Sequence, residues 1–411
     1  MPKNIVVCCD GTANEFAKDR TNVLKLYSTL IHDTPCQVTY YHPGIGTMEP
    51  FGALSSFTRA LTRILGMALG YGLENDIRDV YVFLMQTYQP GDSVYLFGFS
   101  RGAFTVRAVA SLIRMYGMIR TGNEPLVPYA IRMLTGIQRA GDHRDAANTY
   151  FELAAEFKRT MSCAQPRLRF VGVWDTVSSV GWIENPLHLP YEANNPDIEV
   201  GRHAVSIDEH RAFFRSHLWR PPANPASARG PRDMQQVWFP GVHCDVGGGY
   251  PEKESGLSKF PLEWMIEEAK CAGLLVDSGK ETEVLGLSGA GNYVPANASA
   301  RMHESLTGAW NIAEFIWKRH WDSKRQKWEH RMNRYRRRSI PGQSLVHDAA
   351  YLQDAAYQER IPADAIRVGT VKCPNPAQPA YPGRSSGIAT SSAAGAGLPT
   401  PSICDSAPTG S

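Results

Sequence analysis

A serine flanked by glycines is the residue of this sequence with the clearest chemical potential. Residues 98–102 are Gly-Phe-Ser-Arg-Gly, directly after an apolar run at 94–97 and directly before a helix-compatible run. A serine on a sharp turn between a strand and a helix is exposed at the sheet edge, where its hydroxyl can attack an ester carbonyl. Gly98 and Gly102 give the backbone room for that turn, and the helix amino end favours a developing oxyanion. The bare pentapeptide arises easily in a chain with 36 glycines, so the flanking elements are what make Ser100 the predicted nucleophile.

A serine hydroxyl needs a base to take its proton and a third group to hold that base. Asp175 follows the apolar run 168–174, and His243 lies in a glycine-rich loop after the apolar run 237–239. The carboxyl ends of parallel strands meet at one sheet edge, and the order serine, acid, histidine is typical of α/β hydrolases. The sequence therefore predicts a catalytic triad of Ser100, Asp175 and His243.

Other side chains compete for the roles of base and acid. The alternatives are His210, His217 and His347 for the base, and Asp208 and Asp245 for the acid. The run that holds residues 210–217 favours a helix, whereas His347 follows a Pro-Gly turn. Asp245 is only two residues from His243, a spacing that favours shaping the loop over orienting the imidazole from another strand.

The first apolar run ends in Asp10-Gly11-Thr12. A tight turn here would direct the N–H of Gly11 or Thr12 at the substrate oxygen and complete an oxyanion hole with the N–H of Arg101. An ordinary turn in which Asp10 caps the next segment is an equal alternative. Asp10, Asp175 and Asp245 with His243 are also a donor set that divalent metals accept, but their spacing forms no compact metal motif. No metal and no cofactor is predicted.

The elements that must position these residues are short apolar runs alternating with helical stretches. The strand-like runs are at 5–9, 38–41, 94–97, 168–174 and 237–239, and the helix-like runs are at 23–31, 73–88 and 103–116. Near-continuous apolar strands are typical of a parallel sheet that is covered on both faces. The expected fold is α/β, of the α/β-hydrolase type, with a mostly parallel sheet and helices on both faces.

One catalytic domain is expected over residues 1–373. Residues 124–162 are helix-prone without a strand signal, which favours a helical cap inserted after the central strand. Residues 374–411 are rich in Pro, Ala, Gly and Ser and have few large apolar side chains, so we expect a disordered tail.

Composition and charge exclude some classes of partner but do not identify a function. Hydrophobic residues are 43% of the chain and the formal net charge is +3, which is ordinary for a soluble protein and argues for no global nucleic acid or membrane partner. Eight cysteines without a CxxC pair are expected to be free, mostly buried thiols of a reducing compartment. No signal peptide or membrane-spanning run is evident, which predicts a soluble cytoplasmic protein and leaves signal-independent export open.

Residues 318–338 are strongly basic and are interleaved with aromatics. The aromatic side chains in and beside this stretch are Trp317, Trp321, Trp328 and Tyr335. The favoured interpretation is a solvated basic face whose aromatics pack inward. Peripheral contact with anionic lipid headgroups comes second. Nucleic acid is a distant third, and no nucleic acid partner is expected.

Several motifs together resemble one known family. They are Asp10-Gly11-Thr12, Pro90-Gly91-Asp92, the block from Leu96 to Ala103, the block from Val173 to Val177, the block from Ser206 to Glu209, and the block from Gly241 to Tyr250. Over about residues 4–370 the chain resembles the DUF2235 α/β-hydrolase family, which includes the catalytic domain of Tle1-like type VI secretion phospholipase effectors. The resemblance implies an α/β-hydrolase fold and a triad of Ser100, Asp175 and His243.

The function implied by the resemblance is hydrolysis of glycerophospholipid acyl esters through an acyl-enzyme on Ser100. Two alternatives stay open at this point. One is hydrolysis of small esters or thioesters, and the other is a non-catalytic module that binds lipid surfaces through the basic aromatic stretch.

Overall fold

The computed structural model describes residues 2–11, 20–32, 34–44, 72–139, 144–177, 188–220, 233–289, 291–308, 310–322 and 327–374, without the side chains of 137–147, 312 and 318–328. The described strands are β1 (Asn4–Cys9), β2 (Gln37–His42), β3 (Ser93–Phe99), β4 (Met118–Ile119), β5 (Ser162–Ala164), β6 (Leu168–Trp174), β7 (Ile198–Ser206), β8 (Asp233–Phe239), β9 (Lys318–Asp322), β10 (Lys327–Arg331), β11 (Leu345–His347) and β12 (Ile366–Val368). The described α-helices are α1 (Asn22–Thr29), α2 (Leu73–Thr87), α3 (Arg101–Tyr116), α4 (Val127–Arg139), α5 (Arg144–Met161), α6 (His243–Gly247), α7 (Lys259–Cys271), α8 (Ser278–Val284), α9 (Trp310–Ala313), α10 (Asp348–Tyr351) and α11 (Ala355–Gln358).

Eight strands form one sheet in the order β12-β11-β8-β7-β6-β3-β1-β2, and every neighbouring pair is parallel. The chain goes from β1 to β2 on one side and then crosses to β3 on the other side of β1. The carboxyl ends of β1 and β3 thus flank the point where the direction of strand addition reverses, which is where open α/β sheets form their crevice. The predicted α/β fold is confirmed.

The first strand shows why the sheet sequences are nearly continuously apolar. Ile5, Val7 and Cys9 belong to a core cluster with α2, α3 and α4, whereas Val6 and Cys8 belong to a second cluster with α1 and α7. Successive side chains of a strand point to opposite faces, so a sheet with helices on both faces buries every residue of such a strand. All five of these residues are at most 1% exposed.

The predicted helices at 23–31, 73–88 and 103–116 are confirmed as α1, α2 and α3. Residues 124–161 contain a short 3-10 helix (Glu124–Leu126) and then α4 and α5, which pack against α2 and α3. The antiparallel pair of β4 and β5 closes the base of this insertion. Its role as a cap over the site stays a prediction.

Two expectations are wrong. Residues 207–220 contain no helix in the part of the chain that the structure describes, because they form turns and an isolated bridge between Val177 and Ser216. Of the seven described cysteines, all free, only Cys8 and Cys9 are buried. The predicted disordered tail, residues 374–411, lies outside the described residues except for Pro374. No helix among the described residues is long and apolar enough to cross a membrane.

Candidate active site

Ser100 occupies the turn that joins β3 to α3. Its φ of 57° and ψ of −117° are unusual for a residue with a side chain, and such strain costs of the order of 1–3 kcal/mol. The Ser100 N–H donates to the carbonyl of Trp174 on β6 at 3.1 Å, which fixes the turn against the next strand. A Cβ on Gly98 would lie 2.5 Å from the Gly102 carbonyl oxygen, and one on Gly102 would lie 2.2 Å from that of Cys9. Only glycine fits at either position.

Asp175 and His243 meet at this same edge of the sheet. Asp175 directly follows β6, His243 is the first residue of α6 after β8, and Nδ1 of His243 lies 2.6 Å from Oδ2 of Asp175. The imidazole packs between Phe99 and Phe214, with ring centroids 4.6 and 4.8 Å away. Phe99 immediately precedes Ser100, so the histidine ring lies beside the elbow. With Nδ1 engaged by the aspartate, Nε2 is the ring nitrogen left for the serine.

The Asp175 carboxylate stays ionised although it is fully buried. Burial by itself opposes ionisation, but the Arg338 guanidinium and the His243 hydrogen bond outweigh it and hold the pKa of Asp175 well below its usual value. Burial also lowers the pKa of His243, and Asp175 counteracts this only in part. The imidazole is therefore neutral near pH 7, which is the state that a general base needs.

Two other carboxylates shape the loop that carries His243. Asp208 accepts the N–H of Gly241 at 2.8 Å, together with hydrogen bonds from Tyr357 and Arg360. Asp245 accepts the N–H of Val242 at 3.0 Å, and a Cβ on Gly241 would lie 2.4 Å from its Cβ. Neither carboxylate contacts the imidazole of His243 among the described residues.

Glu209 is a site residue that the sequence analysis missed. It accepts the main-chain N–H of His243 at 3.3 Å and forms an ion pair with Arg211 at 2.8 Å. Burial raises its pKa, but Arg211 and the nearby Arg338 and His243 outweigh burial and lower the pKa of Glu209 to about 2. A buried anion therefore holds the backbone at the histidine. Glu209 ends one of the motifs that carry the family resemblance, but its contact with His243, 34 positions away, is visible only in the structure.

The first strand brings Asp10 and Gly11 to the elbow. The Gly11 N–H donates to Oδ1 of Asp10 at 2.7 Å, and Oδ2 of the same carboxylate accepts hydrogen bonds from Thr21 and Tyr41. An oxyanion role for Gly11 would require its N–H to leave Asp10. Arg101 is the first residue of α3, whose leading N–H groups point toward the elbow. Thr12 lies outside the described residues.

The other histidines make different contacts. His210 pairs with Glu304, the His347 ring stacks on Phe239, and His217 Nε2 lies 3.0 Å from Glu192. The ligand atoms of His188, Glu192 and His217 lie within 4.8 Å of one another. Burial raises the pKa of Glu192, but His217 and Arg107 outweigh it and lower that pKa to about 2. Pairing with His217 and Arg107 is enough to stabilise the buried negative charge of Glu192.

The basic aromatic stretch departs from the favoured interpretation. Trp317 and Tyr335 are 52% and 46% exposed, so the expected inward packing is wrong for these two aromatics. The side chains of Trp321 and Trp328 lie outside the described set. The stretch reaches the site through Arg338, which contacts Asp175. Trp310, which precedes the stretch, packs on Phe214.

A parallel α/β sheet with a serine at a strand–helix elbow and a buried Asp–His pair at the same edge defines a protein of the α/β-hydrolase class. Residues 3–268 match the family described as "T6SS, Phospholipase effector Tle1-like, catalytic domain". The chain belongs to this family, as its motifs predicted.

Individual relatives are similar over part of their length. An uncharacterized protein of Saccharomyces cerevisiae is 37% identical over 227 residues, which are 53% of this chain and 33% of the yeast protein. The crystal structure of an uncharacterized protein from Pseudomonas aeruginosa has 18% identity and a TM-score of 0.42, and the match covers 73% of this chain and 50% of that one. A Tle1 effector bound to the VgrG spike of the type 6 secretion system has 16% identity and a TM-score of 0.35, with 62% and 52% covered. The chain thus spans between a third and about half the length of these relatives.

Proposed function

We propose that this protein is a serine hydrolase that cleaves carboxylic acyl esters, most favourably those of glycerophospholipids, through an acyl-enzyme on Ser100. The observation that carries the proposal is the buried 2.6 Å contact of His243 with Asp175, beside a serine elbow at the same sheet edge. Family membership supports phospholipids as the substrate class.

The proposed reaction has two halves, acylation of Ser100 and its deacylation by water, and the triad acts in both. His243 Nε2 takes the Ser100 proton while Oγ attacks the acyl carbonyl, and Asp175 stabilises the imidazolium. The amino end of α3 stabilises the oxyanion, with the N–H of Arg101, the first residue of that helix, as a donor. The imidazolium then protonates the leaving alcohol. Water, activated by the same histidine, releases the fatty acid and regenerates Ser100.

The test is labelling by a fluorophosphonate probe and turnover of a panel of phospholipids, short-chain esters and thioesters. Ser100→Ala should abolish both labelling and turnover. Ser111→Ala is the matched control and should keep both, because Ser111 is a buried serine of the same helix whose hydroxyl donates to the Arg107 carbonyl. Full turnover by Ser100→Ala would refute the proposal. Thioester turnover above phospholipid turnover would reassign the substrate class.

Peripheral membrane contact through residues 318–338 is a second proposal, supported by exposure next to the site. Phe315 and Ile316 extend the exposed apolar surface of Trp317, with 50% and 37% exposure, and Arg334, Arg336 and Arg337 follow nearby in the chain. Apolar side chains rimmed by cations suit an anionic lipid surface. We expect sedimentation with anionic vesicles that falls with salt and with Trp317→Ala. Equal sedimentation of Trp317→Ala and the unaltered protein would contradict it, and binding without any turnover would favour a non-catalytic lipid module.

A further inference from the structure

Arg338 lies far from the triad in sequence but contacts it in space. Its Nη1 donates to Oδ1 of Asp175 at 2.5 Å, and its Nη2 donates to Oδ2 at 3.1 Å. The side chain is 2% exposed, and the carboxylate is fully buried. A planar guanidinium that grips both oxygens of a carboxylate fixes the plane of that carboxylate as well as its charge.

The guanidinium is itself held from several sides. Nη1 also donates to the hydroxyl and the carbonyl of Ser206 at 2.6 and 3.1 Å, and Nε donates to the Phe214 carbonyl at 3.1 Å. The Ser206 N–H donates to Oδ1 of Asp175 at 3.0 Å. Arg338, β7 and the loop before Phe214 thus form a rigid seat for the carboxylate.

Asp175 needs such a seat because its backbone is strained. Its φ is 39°, a region that residues with side chains rarely adopt. Oδ2, the oxygen bound by Nη2, is also the oxygen that holds His243. A rotation of the carboxylate would therefore break the imidazole contact.

We infer that Arg338 is a positioning residue of the hydrolase, which orients the Asp175 carboxylate toward His243 and sets the charge that the imidazole faces. The inference rests on the proposed function of the triad. Arg338 lies beyond residues 3–268, the part that matches the family, so this contact is supplied by the later part of the chain.

The charge balance around His243 gives the inference a readout that a scaffold role would not change. The charged or titratable groups that face the imidazole or its aspartate are Asp175, His203, Glu209, Arg211, Cys244 and Arg338. Without the positive charge of Arg338, the negative charge of Asp175 is no longer partly neutralised and attracts the imidazolium of His243 more strongly. The protonated histidine then becomes more favourable, so its pKa rises.

The experiment compares full-length Arg338→Met, Arg338→Lys and the control Arg202→Met. Arg202 is also a buried arginine with two ion pairs, to Asp233 and Glu268, but it has no described contact with the triad. Measurements are the fluorophosphonate labelling rate, the pH dependence of kcat/KM, the pKa of His243 by NMR titration, and thermal melting.

We expect Arg338→Met to label about 10- to 100-fold more slowly. Its His243 pKa, and with it the acid limb of the pH profile, should rise by about one unit. Arg338→Lys should resemble the unaltered protein more closely in its pH profile than in its labelling rate. Lysine keeps the positive charge but lacks the planar guanidinium that binds both carboxylate oxygens. Arg202→Met should lower the melting temperature without moving the His243 pKa.

A folded Arg338→Met with the original rate and the original His243 pKa would overturn the inference. An equal pKa change in Arg202→Met would reduce Arg338 to a scaffold residue. If Arg338→Met does not fold, Ser206→Ala replaces it, because this variant removes one acceptor of the guanidinium and keeps the charge of Arg338. We expect a smaller loss of labelling rate in Ser206→Ala. An unchanged labelling rate would overturn the inference. If the unaltered protein neither labels nor turns over any ester, the proposed function fails, while the NMR titration still decides the role of Arg338.

Discussion

Gly102→Ala is the substitution for which the structure gives the clearest expected cost. The added Cβ would lie 2.2 Å from the Cys9 carbonyl oxygen and 2.6 Å from that of Asp10, whereas ordinary contact begins at 3.4 Å. The elbow helix and β1 would have to separate by about 3.4 − 2.2 = 1.2 Å. Both partners are backbone, so no flexible side chain can absorb the shift.

Overpacking of this kind costs about 1–3 kcal/mol, and a rigid backbone contact favours the upper end. An unfolding entropy of about 2.1 cal/mol/K per residue gives roughly 1.3 °C per kcal/mol for a domain of about 370 residues, so the melting temperature should fall by about 3–4 °C. Moving Ser100 by about 1 Å relative to its partners should slow acylation about 100-fold. The measurements are thermal melting and the rate of fluorophosphonate labelling.

Whether Gly102→Ala raises or lowers the melting temperature tests the steric reasoning. Alanine is favoured over glycine in helices by up to about 1 kcal/mol, and Gly102 is the second residue of α3, so without the clash Gly102→Ala would not lower the melting temperature. Gly291→Ala is the matched control, because its nearest neighbours are the Ser288 hydroxyl at 3.7 Å and Glu283 Cγ at 3.9 Å. A stabilised Gly102→Ala that labels at the original rate would refute the steric reasoning.

Three further outcomes are expected. Because burial lowers the pKa of His243 below its ordinary value of 6.5, the midpoint of the acid limb of kcat/KM should lie below pH 6.5; a midpoint above 6.5 in the pH–rate profile would contradict this. Glu192 has a folded pKa of about 2, so its contribution to the free energy of unfolding is complete above its unfolded value near 4.5 and is lost as the pH falls toward 2. Urea titrations of Glu192→Gln should therefore show a weaker loss of stability between pH 5 and pH 3 than the unaltered protein. Tyr357→Phe removes the 2.6 Å hydrogen bond to Asp208 and should cost about 1.5–3 kcal/mol in the same titration at pH 7, and an unchanged midpoint would show that the bond contributes nothing.

The sequence identifies the strands that bury both faces and misses those that do not look apolar. β6 has the predicted bounds, since all but one of its residues are buried. β7 contains Glu199, Arg202 and His203, which interrupt its apolar residues. The structure makes Arg202 and His203 buried strand residues by pairing Arg202 with Asp233 and Glu268 and by using His203 to accept the Thr176 N–H. Such partners are visible only in three dimensions.

The site residues also fall into those that the sequence predicts and those that only the structure shows. The elbow serine, Asp175 and His243 each stand at the end of an apolar run, so local pattern and strand order suffice to propose them. Arg338 has no such pattern, because it comes from an irregular segment 163 positions after the carboxylate that it grips. The predicted turn at Asp10 is local, yet whether Gly11 faces the carboxylate or a substrate depends on Thr21 and Tyr41, which share that carboxylate.

The late arrival of β11 has a consequence for synthesis on the ribosome. Leu345 follows Phe239 by 345 − 239 = 106 positions, yet the two strands that they bound, β8 and β11, pair directly. A nascent chain that has completed β8 therefore presents a bare edge of backbone N–H and C=O groups until the remaining hundred or so residues emerge. Unpaired edges recruit other strands, so we expect chains truncated before residue 345 to aggregate and to depend on chaperones.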